Sequence, residues 1–123
     1  MGALNALYAK YQDRVEFRLV YIREAHPTDG WQVQANIRDQ ILFEDPKSLK
    51  DRQLVAGSCV KTLGIKFPAV VDTLDDVVER MYSGWPDRLY VVGVDGKLLH
   101  VGEMGPRGFV VSQVADLLAK LYP

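Results

Sequence analysis

The sequence predicts a single α/β domain spanning residues 1–123, and three observations carry that prediction. Apolar residues recur with helical period in several separate stretches, while shorter runs alternate or stay apolar as strands do. The two kinds of segment interleave in the order helix, strand, helix, strand, helix, hairpin, helix, the pattern of helices packed on a mixed sheet. A chain of 123 residues with a 48% apolar fraction has room for one core.

Leu4, Leu7, Tyr8 and Tyr11 fall at i, i+3, i+4 and i+7, which predicts a first helix over residues 3–12. After Asp13 the pattern switches to Val15-Glu16-Phe17-Arg18-Leu19-Val20-Tyr21-Ile22, alternating and then apolar, as in a strand that passes under covering layers. The loop Glu24 to Trp31 follows, and residues 32–47 read as irregular, with at most a short helical turn. Ser48-Leu49-Lys50-Asp51 predicts a capping box with Asp in place of Glu. The helix it opens carries Val55, Ala56, Cys59, Val60 and Leu63 on one stripe, with Gly64 as its left-handed stop.

Phe67 to Asp72 reads as a short strand with Pro68 near its start. Thr73-Leu74-Asp75-Asp76 repeats the capping signature, and Val77, Val78, Met81 and Tyr82 form the stripe of a two-turn helix ending at Gly84. Arg88 to Val94 is a strand, Asp95-Gly96 a hairpin turn, and Lys97 to Gly102 the returning strand. A Gly/Pro loop then leads to a last helix with Val114, Leu117, Leu118 and Leu121 on one face.

Composition removes several function classes. A net charge of −1 and a pI near 6.1 give no basic surface for nucleic acid or an anionic membrane. No apolar run approaches the ~20 residues of a membrane helix, and the first residues lack a signal peptide's basic and apolar regions. Cys59 is the only cysteine, which excludes an internal disulfide, a CxxC pair and a cysteine-based zinc site. His26 and His100 are too few and too separated to suggest a metal. A reducing, cytoplasmic setting is the expectation.

Chemistry concentrates at Tyr21-Ile22-Arg23-Glu24-Ala25-His26-Pro27-Thr28-Asp29-Gly30-Trp31, where a rigid strand feeds a loop with an acid, an imidazole and an indole. Read from the residues alone, Glu24 and His26 either work on a substrate or tie the loop down. Likewise Trp31 either walls a ligand slot or anchors a core, and Arg88 either binds a ligand or closes a strand-end ion pair. Cys59 lies mid-helix on an apolar stripe, where a thiol behaves as a small hydrophobe. His100 is expected at the surface.

The C-terminal half, with Trp85-Pro86 before a strand, a hairpin and a final helix, resembles a thioredoxin-like fold, a three-layer α/β/α arrangement. The resemblance puts a cis proline at Pro86, beside the active site. The Tyr-Ile-x-Glu-Ala-His-Pro-x-Asp-Gly-Trp loop resembles the signature of the iodothyronine deiodinase family. Ser48 to Arg52, Val70 to Thr73 and Pro86 to Tyr90 match that family in the same order, so the resemblance runs from about Val15 to the C-terminus. Pro46 stands where members often carry another histidine, so the resemblance implies a reaction class rather than iodothyronine as the substrate.

In this family a selenolate or thiolate attacks iodine on an aromatic ring and is regenerated by thiols. The resemblance implies that His26 contacts the substrate hydroxyl or relays a proton, with Glu24 orienting it. It further implies that Arg88 completes a His–Arg clamp and that Trp31 walls the aromatic slot. The expected partners are a small aromatic or thiol substrate and a thiol reductant, with no resident cofactor or metal. The family's first core strand and nucleophile precede its first helix, so the expectation is an N-terminally incomplete domain, inactive as it stands. The alternatives are a non-catalytic thioredoxin-like binding module and a peroxiredoxin-like enzyme using Cys59. In the thioredoxin order the missing strand would lie between the strands of Phe17 and Tyr90. Either those two strands pair directly, or a second chain pairs with an exposed edge to form an oligomer or strand-paired dimer.

Overall fold

The computed structural model describes residues 1–23 and 47–123. Helix α1 runs Gly2–Tyr11 and buries Leu4 and Tyr11, two turns apart on the predicted face. Strand β1 is Leu19–Tyr21, shorter than the predicted run. Helix α2 spans Leu49–Leu63, strand β2 Ala69–Val71 and helix α3 Val77–Tyr82. Strands β3, Tyr90–Val92, and β4, Leu98–Val101, form the hairpin, and helix α4 closes the chain at Val111–Leu121.

Among the described residues the strands form two small sheets. β1 and β2 pair in parallel, Leu19 opposite Ala69 and Tyr21 opposite Val71, with α2 in the crossover between them. The ladder is extended at its ends by Leu19 N–H to Pro68 O, 3.0 Å, and Asp72 N–H to Tyr21 O, 2.8 Å. β3 and β4 pair antiparallel, with an irregularity at Val91/Val92. Their turn runs through Gly93 to Gly96, where Gly96 N–H bonds Gly93 O at 2.9 Å and Gly96 takes φ +83°, a conformation that favours glycine.

β1 and β3 do not ladder with each other, so the direct pairing expected across the sheet is not formed. Side chains set their positions instead. Val15 and Phe17 before β1, and Leu89 and Val91 at β3, all pack on the buried cluster of Tyr11, Val114 and Leu118. Phe17 also closes a triangle of rings with Tyr8 and Phe67, centroids 5.6–5.8 Å apart, which fastens α1 to the β1–β2 pair. Asn5 adds a polar clip, donating to Gly64 O at 2.8 Å and accepting from Lys66 N–H at 3.0 Å.

The caps agree with the sequence at α2 and depart from it at α3. Ser48 Oγ accepts from Asp51 N–H at 3.1 Å, and Gly64 ends α2 with φ +65°. At α3 neither Thr73 nor Asp76 caps. The carboxylate of buried Asp72 does, accepting from the Thr73, Val78 and Glu79 amides at 2.9–3.0 Å. The stop is Ser83 at φ +52°, one residue before the expected glycine. The stripe predicted to bury α3 is uncovered: Val77, Met81 and Tyr82 are all exposed, Met81 at 76%. On α2 the buried face is Arg52, Ala56 and Cys59, while Leu63 stays exposed.

Candidate functional site

Two loops meet beside the end of β1. Arg23 leaves the strand and lies over the ring of Trp85, its guanidinium carbon 4.5 Å from the ring centroid. Trp85 begins the connection from α3 to β3, and the Trp85–Pro86 peptide is cis, as is Gly105–Pro106. Arg88 follows two residues later and is half-buried. Its Nε donates to Gly102 O at 2.6 Å and its Nη1 to Ser83 O at 3.2 Å, so it ties the end of α3 to the end of β4. Tyr90 packs edge-on against Tyr82, centroids 5.1 Å apart, and its hydroxyl donates to Tyr82 O.

Arg23, Glu79, Arg80, Ser83, Trp85 and Met104 line a cleft of about 340 Å³ at this junction. Glu79 Oε1 stands 3.7 Å from Arg23 Nη2, an ion pair longer than a hydrogen bond. Arg80 spends its Nε on Asp76 O at 3.3 Å. The indole N–H of Trp85 is buried with no acceptor among the described residues, an arrangement that costs about 1–3 kcal/mol.

The entry to α3 is held by Arg52, which is only 3% exposed. Its Nη1 donates to Thr73 O at 2.8 Å and Asp76 Oδ1 at 3.0 Å, with Asp72 O at 3.4 Å. This network fixes where Glu79 and Arg80 present themselves to the cleft. Asp75 sits outside it, where a hydrogen bond from the Thr73 side chain is the main cause of a lowered carboxyl pKa. Asp87, next to Pro86, is pushed the other way, and the cause is burial. Its carboxylate occupies the space a Cβ at Gly105 would fill.

Of the residues expected to form the site, Pro86 and Arg88 are described here. Glu24, His26 and Trp31 lie outside the described residues, as do Pro46 and the stretch read as irregular except Lys47. Arg23 and Trp85 were visible in sequence only as neighbours of the motifs, and nothing in their spacing announced that they stack. Among the described residues no group of three or more His, Cys, Asp or Glu could hold a metal ion. None of the described helices is long and apolar enough to cross a membrane. Cys59 is buried in α2, as its stripe predicts, and His100 is partly buried rather than fully at the surface.

Comparison with known proteins extends these observations. The family model described as iodothyronine deiodinase matches residues 1–122, which includes α1 as well as the motifs after it. The chain is 31% identical over 120 residues to a type I iodothyronine deiodinase of Xenopus laevis, covering 98% of this chain and 45% of that protein. It is 34% identical over 121 residues to a thyroxine 5-deiodinase of Homo sapiens, covering 98% of this chain and 38% of that protein. A thyroxine 5-deiodinase of Gallus gallus is likewise 34% identical, over 96% of this chain and 44% of its own length. The chain thus spans less than half the length of these relatives. With a match that runs from α1 through α4, this chain belongs to the iodothyronine deiodinase family.

Proposed function

We propose that this chain supplies the substrate-recognition part of a thiol- or selenol-dependent reductive dehalogenase acting on an aromatic ring. The observation that carries the reading is the family match along the whole chain, together with the loop motif at Glu24, His26 and Trp31. In the proposed reaction a thiolate or selenolate takes the halogen from the ring as a halonium equivalent, and the ring carbon takes a proton in its place. Two thiols of an external reductant then release halide and restore the nucleophile. His26 contacts the substrate hydroxyl or relays the proton, with Glu24 orienting its imidazole. Trp31 walls the slot. Arg88 completes the clamp with donors beyond the two its backbone contacts use.

The proposal does not give the attacking role to Cys59. Its thiol is buried, 8% exposed on the inner face of α2, where a thiol packs as a small hydrophobe. We therefore propose that the attacking atom is supplied by residues other than those of this chain and that the chain alone is inactive. The same burial favours a second reading, a non-catalytic module that binds aromatic ligands through this site. An in-frame cysteine or selenocysteine codon in the upstream genomic sequence supports the enzyme, and its absence supports the module.

For the architecture we propose a thioredoxin-like arrangement in which the two sheets are halves of one. Support comes from the shared cluster of Tyr11, Val114 and Leu118, on which residues flanking β1 and residues of β3 both pack. A further strand between β1 and β3, from another segment or a second copy, would complete the sheet. Light scattering across a concentration series tests the second-copy version: a dimer that grows with concentration supports it, and a well-folded monomer throughout contradicts it.

A further inference from the structure

Among the described residues no ladder joins β1, which leads into the loop motif, to β3, which follows Arg88. Where the motif begins, side chains join the two segments instead. Ile22 Cδ1 stands 3.8 Å from the position of a Cβ on Gly84, ordinary van der Waals range. The next residue, Arg23, lies over the Trp85 ring at 4.5 Å and pairs with Glu79 at 3.7 Å. Glu79 has only 11% of its side chain exposed, and a pair with so sheltered a member is screened less than a surface one. Its amide donates to the Asp72 carboxylate, and the Asp72 amide donates to Tyr21 O of β1. From Trp85 the link runs on to Arg88. Ser83, two residues before Trp85, accepts from Arg88 Nη1 at 3.2 Å, while Gly102 O accepts from Arg88 Nε at 2.6 Å. Arg23 is bonded to Glu24 and stands at the variable position of Tyr-Ile-x-Glu-Ala-His, so the motif itself does not supply this contact.

We infer that Arg23 is a positioning residue. Stacked on Trp85 and paired with Glu79, it fixes the entry to the Glu24–His26 loop against the segment Ser83–Arg88, and so holds Arg88 in place for the clamp. The clamp rests on the dehalogenase reading; the link between the two segments rests on the contacts of Arg23 alone. In this role Arg23 acts through Trp85 and not on the substrate. A lysine keeps the charge but has no flat face to lay on the indole, so it fills the role only in part.

The test is hydrogen exchange of the Arg88 Nε–H, followed by NMR on the full chain without substrate, with the Leu118 amide of α4 as the core reference. Losing a cation–π stack should speed exchange of the Arg88 Nε–H about threefold to tenfold in Arg23→Gln. The Leu118 amide should keep its rate, and Arg23→Lys should fall between parent and Arg23→Gln. Arg18→Gln, which removes an arginine whose described partners are Glu16 and the Phe17 carbonyl, should match the parent. An unchanged Arg88 rate in Arg23→Gln would overturn the inference. Acceleration of Leu118 by the same factor would overturn it too, since Arg23 would then serve overall stability only. Titration with 2,6-diiodophenol adds the functional readout: affinity should fall in the order parent, Arg23→Lys, Arg23→Gln, and equal affinity in all three would contradict the positioning role. A parent that binds none of the phenol contradicts the recognition reading instead, and the exchange rates then decide the role of Arg23 by themselves.

Discussion

Asp87 and Arg52 show how much single side chains decide around this site. Asp87 is exposed as a residue, but partial desolvation of its carboxylate beside Gly105 raises its pKa from 3.8. The native state therefore binds that proton more tightly than the unfolded chain. The stability this provides is fully present below pH 3.8 and is lost as pH rises through the raised native value. Asp87→Asn should remove that dependence, so the midpoint of the variant minus that of the parent should rise between pH 3 and 7. Arg52 was legible in the sequence only as part of a family run, because a charged residue at that position of a helix reads as solvent-facing. Its burial is explained by its partners: two carbonyls and the Asp76 carboxylate give it a destination that no periodicity rule contains. Replacing it with methionine leaves a carboxylate and two carbonyls unanswered, and urea unfolding should show a loss of about 3 kcal/mol.

At the scale of elements, α2 and the hairpin were readable because their signals are local. Ser48, Gly64 and Asp95-Gly96 each act within four residues of themselves. α3 was readable as a helix but not in its anchoring, since Asp72 reaches forward from the end of β2 to three amides. Asp72→Ala should therefore destabilise α3 by about 2 kcal/mol, the upper range for a lost cap, whereas Asp76→Ala should leave the cap intact. Comparing the amide exchange of Val78 and Glu79 in the two variants separates these outcomes. The loop before α4 offers a second check. A Cβ at Gly108 would stand 2.5 Å from the backbone carbon of Glu103, and backbone cannot swing aside as a side chain can. Gly108→Ala should cost about 1–3 kcal/mol by thermal unfolding. At Gly57, where nothing lies within 4 Å, alanine should be tolerated.

For the molecule as a whole, the described core is narrow, and much apolar surface lies open. Val92, Leu98, Leu99 and Val101 of the hairpin are about half exposed, as is Val70 of β2, and α3 buries none of its residues. Period-based reading expected those faces to be covered, because periodicity reports which side of an element is apolar and not whether anything lies against it. The element order and the family were legible in sequence; the separation into two sheets was not, because ladder formation between distant strands depends on what lies between them. The proposed division leaves recognition on this chain and the attacking atom elsewhere. Thiol-dependent iodide release from an iodinated phenol, measured on this chain and on its Cys59→Ser variant, tests it most directly. No release above the thiol-only background is expected from either protein. Release by both would contradict it, since the chemistry would then lie within this sequence at a residue other than its only cysteine; release lost in the variant would contradict it by making Cys59 the nucleophile.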